Sequence, residues 1–170
     1  MPVPMTLAAV RATKDAALTG MWVCSGSPLV AEICAGSGLD WLLIDGEHSP
    51  NSLPTLLAQL QAVASSSIAT VVRPPIGDKV IIKQYLDLGV TGLLVPMVDT
   101  AEQAAAMAAA VAYPPAGTRG IGSALARSSQ WGRDADYLHT ARSGITLLVQ
   151  IESSTAVGNV AEIAAVEGVD

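Results

Sequence analysis

The sequence predicts an α/β fold in which the strands of a parallel sheet alternate with helices. Short apolar runs rich in Val, Ile and Leu alternate along the chain with segments whose apolar residues recur at helical spacing. Of the 170 residues, 51% are apolar and 14% are charged, which is typical of a globular protein with a well-buried core. The apolar residues are mostly small and aliphatic, and Phe is absent, which suits helices packed on a parallel sheet.

Five strand–helix units follow one another along the chain. The predicted strands cover residues 21–24, 41–45, 69–73, 92–95 and 145–152. The predicted helices cover residues 28–35, 52–64, 78–88, 101–113 and 154–165, with a short additional helix near residues 134–142. Connections between successive parallel strands are right-handed crossovers, so these strands are expected to form one sheet.

Capping residues and the spacing of apolar residues indicate where each helix begins and ends. Ser27 is the predicted N-cap of the first helix, with Pro28 at its first position. The second helix is indicated by apolar residues at helical spacing, namely Leu53, Leu56, Leu57, Leu60 and Val63. Asp78 caps the third helix, which ends at Gly89, and Thr100 caps the Ala-rich fourth helix.

A long irregular stretch, residues 114–133, separates the fourth helix from the fifth strand. Loops of this length inside a domain are more often functional than idle, so we predict a functional loop here. Its segment 117–122 has the glycine content of a phosphate loop, but no strand leads into it and no Lys-Ser or Lys-Thr follows. Its backbone N–H groups remain candidates for binding an anionic substrate.

The helix-to-strand joints repeat weakly, with Gly-Leu-Asp at 38–40, Gly-Val-Thr at 89–91 and Gly-Val-Asp at 168–170. By this pattern, a sixth strand is expected to follow. A closed TIM (β/α)8 barrel usually takes about 250 residues. We therefore predict that residues 1–170 form a single, partial TIM barrel with the first five βα units, cut at a joint. An open, doubly wound sheet of five strands is the alternative, because periodicity alone does not distinguish the two.

Composition excludes several classes of partner. The net charge is −6 with only nine Lys and Arg, and no basic cluster occurs, so nucleic acid is not an expected partner. No apolar stretch reaches the length of a membrane span, and residues 1–12 do not read as a secretory signal, so we predict a cytoplasmic protein. Cys24 and Cys34 lack metal-binding spacing and are expected to be buried, reduced thiols.

Three predicted strands have ionisable side chains at their carboxyl-terminal ends, which is where the active sites of barrels of parallel strands lie. Asp45 and His48 follow the second strand, Arg73 ends the third, and Gln150 and Glu152 end the fifth. A His held by an Asp is suited to act as a general base, and a fixed Arg is suited to a carboxylate or an enolate oxygen. A glutamate facing a barrel interior needs hydrogen bonds or a cation such as Mg²⁺ or Mn²⁺.

Structural roles for the same side chains stay open at this point. Asp45 is suited to cap the second helix, and Arg73 is suited to a structural ion pair with Asp45 or Glu47. Glu152 is equally suited to the first turn of the last helix. His139 lies in a polar helical stretch and is expected to be solvated. Trp22 and Trp131 are suited to a site entrance, although core packing is the stronger expectation for each.

Several stretches of the chain resemble a known family, the metal-dependent, pyruvate-specific class II aldolases of the HpcH/HpaI type, which includes 4-hydroxy-2-oxoheptanedioate aldolase. The similarity covers the chain from about residue 20 to its end. The matching stretches are DWLLIDGEH (40–48), VVRPP (71–75), LLVPMVDTAE (93–102), YPP (113–115), RGIGSA (119–124), LVQIE (148–152) and EIAAVEGVD (162–170).

The resemblance implies a TIM barrel that binds Mg²⁺, Mn²⁺ or Co²⁺. It implies that a 4-hydroxy-2-oxo acid is cleaved reversibly to pyruvate and an aldehyde through a metal-bound enolate, with a place in the catabolism of aromatic compounds. Glu152 would be a metal ligand, Arg73 would stabilise the enolate, and Gln150 would support the pyruvate site. His48, oriented by Asp45, would be the base, acting through a metal-bound water. The family usually forms a hexamer, in which a C-terminal helix is exchanged between subunits.

One departure from the family pattern concerns the second metal carboxylate. In the family an Asp follows the sixth strand in a Gly-Pro-Ala-Asp-Leu-type stretch, and this sequence stops before it. If the 170 residues are the whole molecule, the expected metal site has one protein carboxylate instead of two. Two further functions stay open: a CoA-ester lyase of the malyl or citramalyl type, for which no basic patch is evident, and a non-catalytic, truncated barrel fragment.

Overall fold

One parallel sheet organises the structure, a computed structural model that describes residues 5–170. Residues 1–4, part of the segment in which no secretory signal is predicted, lie outside the described residues. The strands are β1 (Gly20–Val23), β2 (Trp41–Asp45), β3 (Ala69–Arg73), β4 (Gly92–Val95) and β5 (Thr146–Val149). Three of the five predicted strands therefore have their expected bounds.

The order of the strands in the sheet is their order in the chain. Each strand pairs in parallel with the next, from β1 to β5. A doubly wound sheet reverses this order at a switch point, whereas a barrel adds each strand on the same side. The doubly wound alternative is therefore wrong, and the five βα units wind in the direction that a (β/α)8 barrel requires.

Helices cross over between the strands. They are α1 (Leu7–Ala12), α2 (Pro28–Ala35), α3 (Leu53–Ala62), α4 (Lys79–Asp87), α5 (Ala101–Val111), α6 (Tyr137–Thr140), α7 (Ser154–Gly158) and α8 (Val160–Ala164), with a 3₁₀ helix at Ala141–Gly144. Asp78 caps α4 by accepting from two backbone N–H groups, and Thr100 forms a capping box with Gln103 at α5. Among residues 5–170, no helix is both long and apolar enough to cross a bilayer.

Two elements differ from the sequence prediction at the C-terminal end. The predicted helix over 154–165 is divided at Asn159, whose side-chain amide donates to the backbone carbonyl of Asp99 at 2.8 Å instead of continuing one helix. The fifth strand ends at Val149, because its last ladder partner is at the end of β4. Gln150 and Glu152 consequently lie in the loop after β5 rather than within a strand.

The core lies between the sheet and its helices. Strand residues at the centre are fully buried, among them Leu42, Ile44, Val72, Leu93 and Leu147. The helices contribute a second layer to the same cluster, including Leu56, Leu60, Ile82, Leu86 and Ile163. All five residues of β3 are buried, as expected for a central strand of a parallel sheet covered by helices.

The long loop lies at the amino-terminal end of the sheet. Its buried Arg119 pairs with Asp87 at the end of α4 (2.8 Å) and stacks 4.5 Å from the ring of Tyr113. The backbone N–H of Ser128 donates to the carbonyl of Asp87 at 3.1 Å. Segment 117–122 is therefore remote from the carboxyl ends of the strands and does not line the site predicted there. A functional role for residues 114–133 stays a prediction.

Candidate active site

A buried ion pair between Asp45 and Arg73 joins the carboxyl ends of β2 and β3. Arg73 Nε lies 2.9 Å from Asp45 Oδ1, and Arg73 Nη2 lies 2.9 Å from Asp45 Oδ2. The two residues are register partners at the last positions of neighbouring strands, which brings their side chains to one level. The side chain of Asp45 is 2% exposed, and that of Arg73 is 8% exposed. The sheet thus fixes the plane of the guanidinium through a bidentate contact.

Asp45 and Arg73 each favour the charged form of the other. Burial raises the pKa of Asp45. Hydrogen bonds from Arg73 and from the backbone N–H groups of Glu47 and His48 lower it, as does the charge of Arg73, and together they hold the pKa below its ordinary value. The hydrogen bond to Asp45 raises the pKa of Arg73 against the opposing effect of burial. Each side chain therefore stabilises the charged form of the other.

The turn after β2 carries Glu47 and His48. It is held by Ser49 and Asn51, whose side chains both donate to the backbone carbonyl of Asp45. The imidazole of His48 is 75% exposed, and its Nε2 lies 3.6 Å from Glu47 Oε1. The side-chain oxygens of Asp45 accept from Arg73 and from the backbone N–H of Glu47, and the acid nearest the imidazole is Glu47. That Asp45 orients His48 stays a prediction. The role of His48 as a base stays a prediction.

Glu47 is the second acid in contact with Arg73. Its Oε2 lies 3.0 Å from Arg73 Nη1, and its side chain is 17% exposed. The ion pair expected for Arg73 with Asp45 or Glu47 is therefore present with both acids, and its role towards substrate stays a prediction. The alternative that Asp45 caps the second helix is wrong, because Ser52 occupies that position and accepts from the backbone N–H of Thr55.

Gln150 and Glu152 extend this cluster from the end of β5. Gln150 Oε1 lies 3.4 Å from Arg73 Nη1, and Gln150 Nε2 donates to Glu152 Oε2 at 2.7 Å. Glu152 Oε1 accepts a 2.8 Å hydrogen bond from the backbone N–H of Met97, which has a φ of 54°. The first-turn alternative for Glu152 is wrong, because Ser153 caps the following helix. One chain of contacts thus joins Arg73, Gln150 and Glu152.

Trp22 on β1 and Cys24, which follows that strand, lie at the rim of the cluster. The ring of Trp22 lies 4.6 Å from Arg73 Cζ and is 42% exposed, and Trp131 is 54% exposed, so the expectation of core packing is wrong for both. Cys24 and Cys34 are free, but neither is buried as expected: Cys24 is exposed, with its Sγ 3.9 Å from Asp45 Oδ2, and Cys34 is half-buried. His139 is exposed, as predicted.

Glu152 offers one ligand for a divalent cation. Each of its oxygens accepts one hydrogen bond, which leaves further lone pairs free, and carboxylate oxygens suit Mg²⁺ and Mn²⁺. Three carboxylates, from Asp45, Glu47 and Glu152, surround the guanidinium of Arg73, so the cluster is formally negative. Within residues 5–170, no three His, Cys, Asp or Glu side chains come together to hold an ion. These donors fit a cation that keeps several waters.

This arrangement defines the class of protein. A sequentially ordered parallel sheet with its charged cluster at the carboxyl ends of the strands is the architecture of a (β/α)8-barrel site. The chain belongs to the HpcH/HpaI aldolase/citrate lyase family, whose model matches residues 18–170.

Individual relatives agree with this assignment. The chain is 57% identical over 176 residues to a hydroxypyruvate/pyruvate aldolase of Deinococcus radiodurans. The alignment covers 100% of the chain and 64% of the relative. It is 50% identical to a hydroxypyruvate/pyruvate aldolase of Pseudomonas aeruginosa, over 100% of the chain and 63% of the relative. The chain therefore spans about three-fifths of the length of the curated relatives it matches.

Solved structures show the same fold. An HpcH/HpaI aldolase/citrate lyase family protein of Burkholderia cenocepacia matches with a TM-score of 0.89 and 35% identity, over 97% of this chain and 67% of that one. The citrate synthase SbnG matches with a TM-score of 0.81 and 28% identity, over 94% of this chain and 61% of that one.

Proposed function

We propose that this chain carries the enolate-stabilising part of a metal-dependent pyruvate aldolase, which reversibly cleaves a 4-hydroxy-2-oxo acid to pyruvate and an aldehyde. The observation that carries the proposal is the series of contacts from Asp45 through Arg73 and Gln150 to Glu152. It places the fixed guanidinium of Arg73 near an accessible carboxylate, that of Glu152. The family and the names of the relatives support the same reaction class.

Arg73 is the group proposed to stabilise negative charge on the substrate. Its Nε and Nη2 are bonded to Asp45, which holds the guanidinium in place without help from the substrate. Its longest polar contact is the 3.4 Å one from Nη1 to Gln150 Oε1. A substrate oxygen is proposed to take over that contact, and Gln150 would then turn its amide towards the same ligand.

Glu152 is the residue proposed to hold a divalent cation, Mg²⁺, Mn²⁺ or Co²⁺. When bound, such a cation would act as a Lewis acid that lowers the cost of negative charge on an enolate oxygen. Glu152→Gln removes the anionic ligand and keeps a side chain of the same shape, so we expect Mn²⁺ to bind at least about tenfold more weakly in calorimetric titration. Glu162→Gln, on the exposed face of α8, is the matched control and is expected to bind Mn²⁺ like the wild type.

His48 is proposed to be the base that moves a proton during cleavage. Its imidazole is accessible to substrate, and Glu47 rather than Asp45 is the acid within reach of its Nε2. A base in this position needs contact with the substrate hydroxyl directly or through one water. Asp45 is proposed to position Arg73, and its orientation of His48 stays a prediction.

Pyruvate release from 4-hydroxy-2-oxo acids, in the presence of Mn²⁺, tests the proposal. Arg73→Ala is expected to lose most turnover, about 100-fold or more, because one preorganised donor to a developing oxyanion contributes at this level. Arg133→Ala changes an exposed arginine outside the cluster and is expected to leave turnover unchanged. Normal turnover by the folded Arg73→Ala variant, or no pyruvate release by the wild type, would contradict the proposal.

The CoA-ester lyase remains the second candidate, since the family includes citrate lyases. A CoA thioester needs a cationic surface for its phosphates, and Lys and Arg together number only nine in this chain. Comparing cleavage of free oxo acids with cleavage of malyl-CoA and citramalyl-CoA distinguishes the two. The inactive-fragment alternative predicts that neither Mn²⁺ nor pyruvate binds to the chain.

Assembly and location complete the proposal. Exposed apolar side chains occur on several elements, including Leu29, Ile33, Ile121 and Leu125. A homo-oligomer, a hexamer by family resemblance, is proposed, in which some of these side chains become covered. Measurement of the native mass tests the hexamer. A cytoplasmic location is proposed on the same resemblance.

A further inference from the structure

A cavity of about 330 Å³ opens at the amino-terminal ends of β4 and β5, at the opposite end of the sheet from the candidate active site. Its wall is formed by residues 89–91 before β4, by Ile145 before β5 and by the segment 127–144. Small-molecule sites typically measure about 300–1,000 Å³, so this volume suits a small ligand. Nothing proposed above for the aldolase reaction uses this cavity.

Arg127 places a positive charge in the wall of the cavity, with no carboxylate of the described residues in contact with it. Its Nη1 donates to the backbone carbonyl of Leu88 at 2.7 Å. Among residues 5–170, no carboxylate oxygen lies within 4.0 Å of its nitrogens, although Asp134 also lines the cavity. Burial lowers the pKa of Arg127. A guanidinium that is partly desolvated and unpaired favours an anionic ligand.

Two further features lie in the loop that forms part of the wall. The hydroxyl of Ser128 is buried, and no residue in the described part of the chain accepts from it or donates to it. Gln130 and Trp131 have φ values of 54° and 58°, followed by Gly132 at 82°. Left-handed backbone at non-glycine residues is costly and is concentrated at binding sites, where it aims polar groups at a ligand.

Most of the remaining wall is apolar. Val90, Ala141 and Ile145 contribute aliphatic surface, and Tyr137 contributes an aromatic ring. A ligand that fits both parts of the wall has one anionic end and a compact apolar body.

We propose that this cavity binds a small carboxylic acid with an apolar body, whose carboxylate pairs with Arg127. The carboxylate matches the fork of N–H donors on a guanidinium, and the apolar body displaces water from the aliphatic wall. The site is separate from the proposed aldolase reaction, since the two lie at opposite ends of the strands.

Benzoate is a suitable probe, with benzyl alcohol as its uncharged counterpart. Titration of the full chain, followed by amide NMR, is expected to give saturable shifts with a Kd of about 1 mM or below, largest around residues 89–91 and Ile145. Benzyl alcohol is expected to bind at least about tenfold more weakly. Shifts that do not saturate, or equal binding of the alcohol, would overturn the assignment.

Two variants locate the site. Arg127→Met keeps the length of the side chain and removes the charge, so benzoate is expected to bind about tenfold to a hundredfold more weakly, whereas Arg133→Met, in the same loop, keeps wild-type affinity. Gly144→Leu adds a side chain at a wall position where a Cβ meets no atom within 4 Å, and it is expected to obstruct binding without disturbing the fold. Wild-type affinity in both folded variants would refute the site.

Discussion

Arg73 and Asp45 face each other as register partners at the ends of β3 and β2, joined by two contacts of 2.9 Å. The pair does two things at once. It ties together the carboxyl ends of two central strands, and it holds the guanidinium in the plane from which Nη1 reaches Glu47 and Gln150. The proposed chemistry and the stability of this end of the sheet therefore depend on the same contact.

Asp45→Asn is expected to destabilise the fold by about 1.5–3 kcal/mol, because it removes a charged acceptor from a shielded guanidinium. Glu47 remains as a second acid on Arg73, so the pair is not left wholly uncompensated. Urea unfolding at pH 7 measures the change. Asp15→Asn is the control, since Asp15 is an exposed carboxylate outside the helices and strands, and a much smaller loss is expected there.

The contribution of Asp45 to stability is expected to depend on pH in the acid range. Its pKa is lower in the folded chain than in the unfolded one, because Arg73 and two backbone N–H groups outweigh the effect of burial. A depressed carboxyl pKa stabilises fully above the unfolded value of about 3.9 and loses that effect as the pH falls through the folded value. The stability difference between the wild type and Asp45→Asn should therefore be constant from pH 7 to about pH 5 and shrink below about pH 4. A difference that grows on acidification would contradict the assignment.

His48→Ala is expected to separate activity from stability. The side chain is 75% exposed and has one 3.6 Å contact with Glu47, so the free energy of unfolding should change little. If His48 is the base, kcat should fall by about 10²–10⁴. His139→Ala replaces the other histidine of the chain, also exposed, and should change neither quantity. Equal turnover in the two variants would remove His48 from the mechanism.

The strand ends could be predicted from the sequence because apolar runs that stop at a charge mark where a buried strand leaves the core. This rule placed Asp45 and Arg73 at the last positions of their strands, where the structure has them. Sheet order then brought Gln150 and Glu152 to the same edge, since consecutive parallel strands share one carboxyl end.

The sequence left two partners open for Asp45, the imidazole of His48 and the guanidinium of Arg73, and could not distinguish between them. Proximity along the chain favoured Asp45 with His48, but parallel register sets Asp45 opposite Arg73, a partner 28 residues away in the sequence. The hydrogen bond from Met97 to Glu152 depends on a left-handed backbone at a non-glycine residue, for which the sequence has no signal. Contacts that depend on register or on unusual backbone conformation need coordinates.

Gly46→Ala is expected to damage the candidate site through its backbone. A Cβ at position 46 would lie 2.7 Å from the carbonyl oxygen of Arg73 and 2.7 Å from the hydroxyl of Tyr85. The carbonyl belongs to a central strand and accepts a 2.8 Å hydrogen bond from the N–H of Gly46 itself, so it cannot move away without disturbing the sheet. We expect a loss of about 1–3 kcal/mol in the free energy of unfolding and a displaced turn at His48.

The matched control for this substitution is Gly158→Ala at the end of α7. A Cβ there meets no atom within 4 Å, and the φ of Gly158 is not positive, so the fold should keep or slightly gain stability, by up to about 1 kcal/mol. Urea unfolding and pyruvate release, measured on both variants, compare the two positions. If Gly46→Ala is as stable and as active as Gly158→Ala, then the close approach of the β2 turn to β3 does not constrain the site, and the proposed dependence of function on this strand register is wrong.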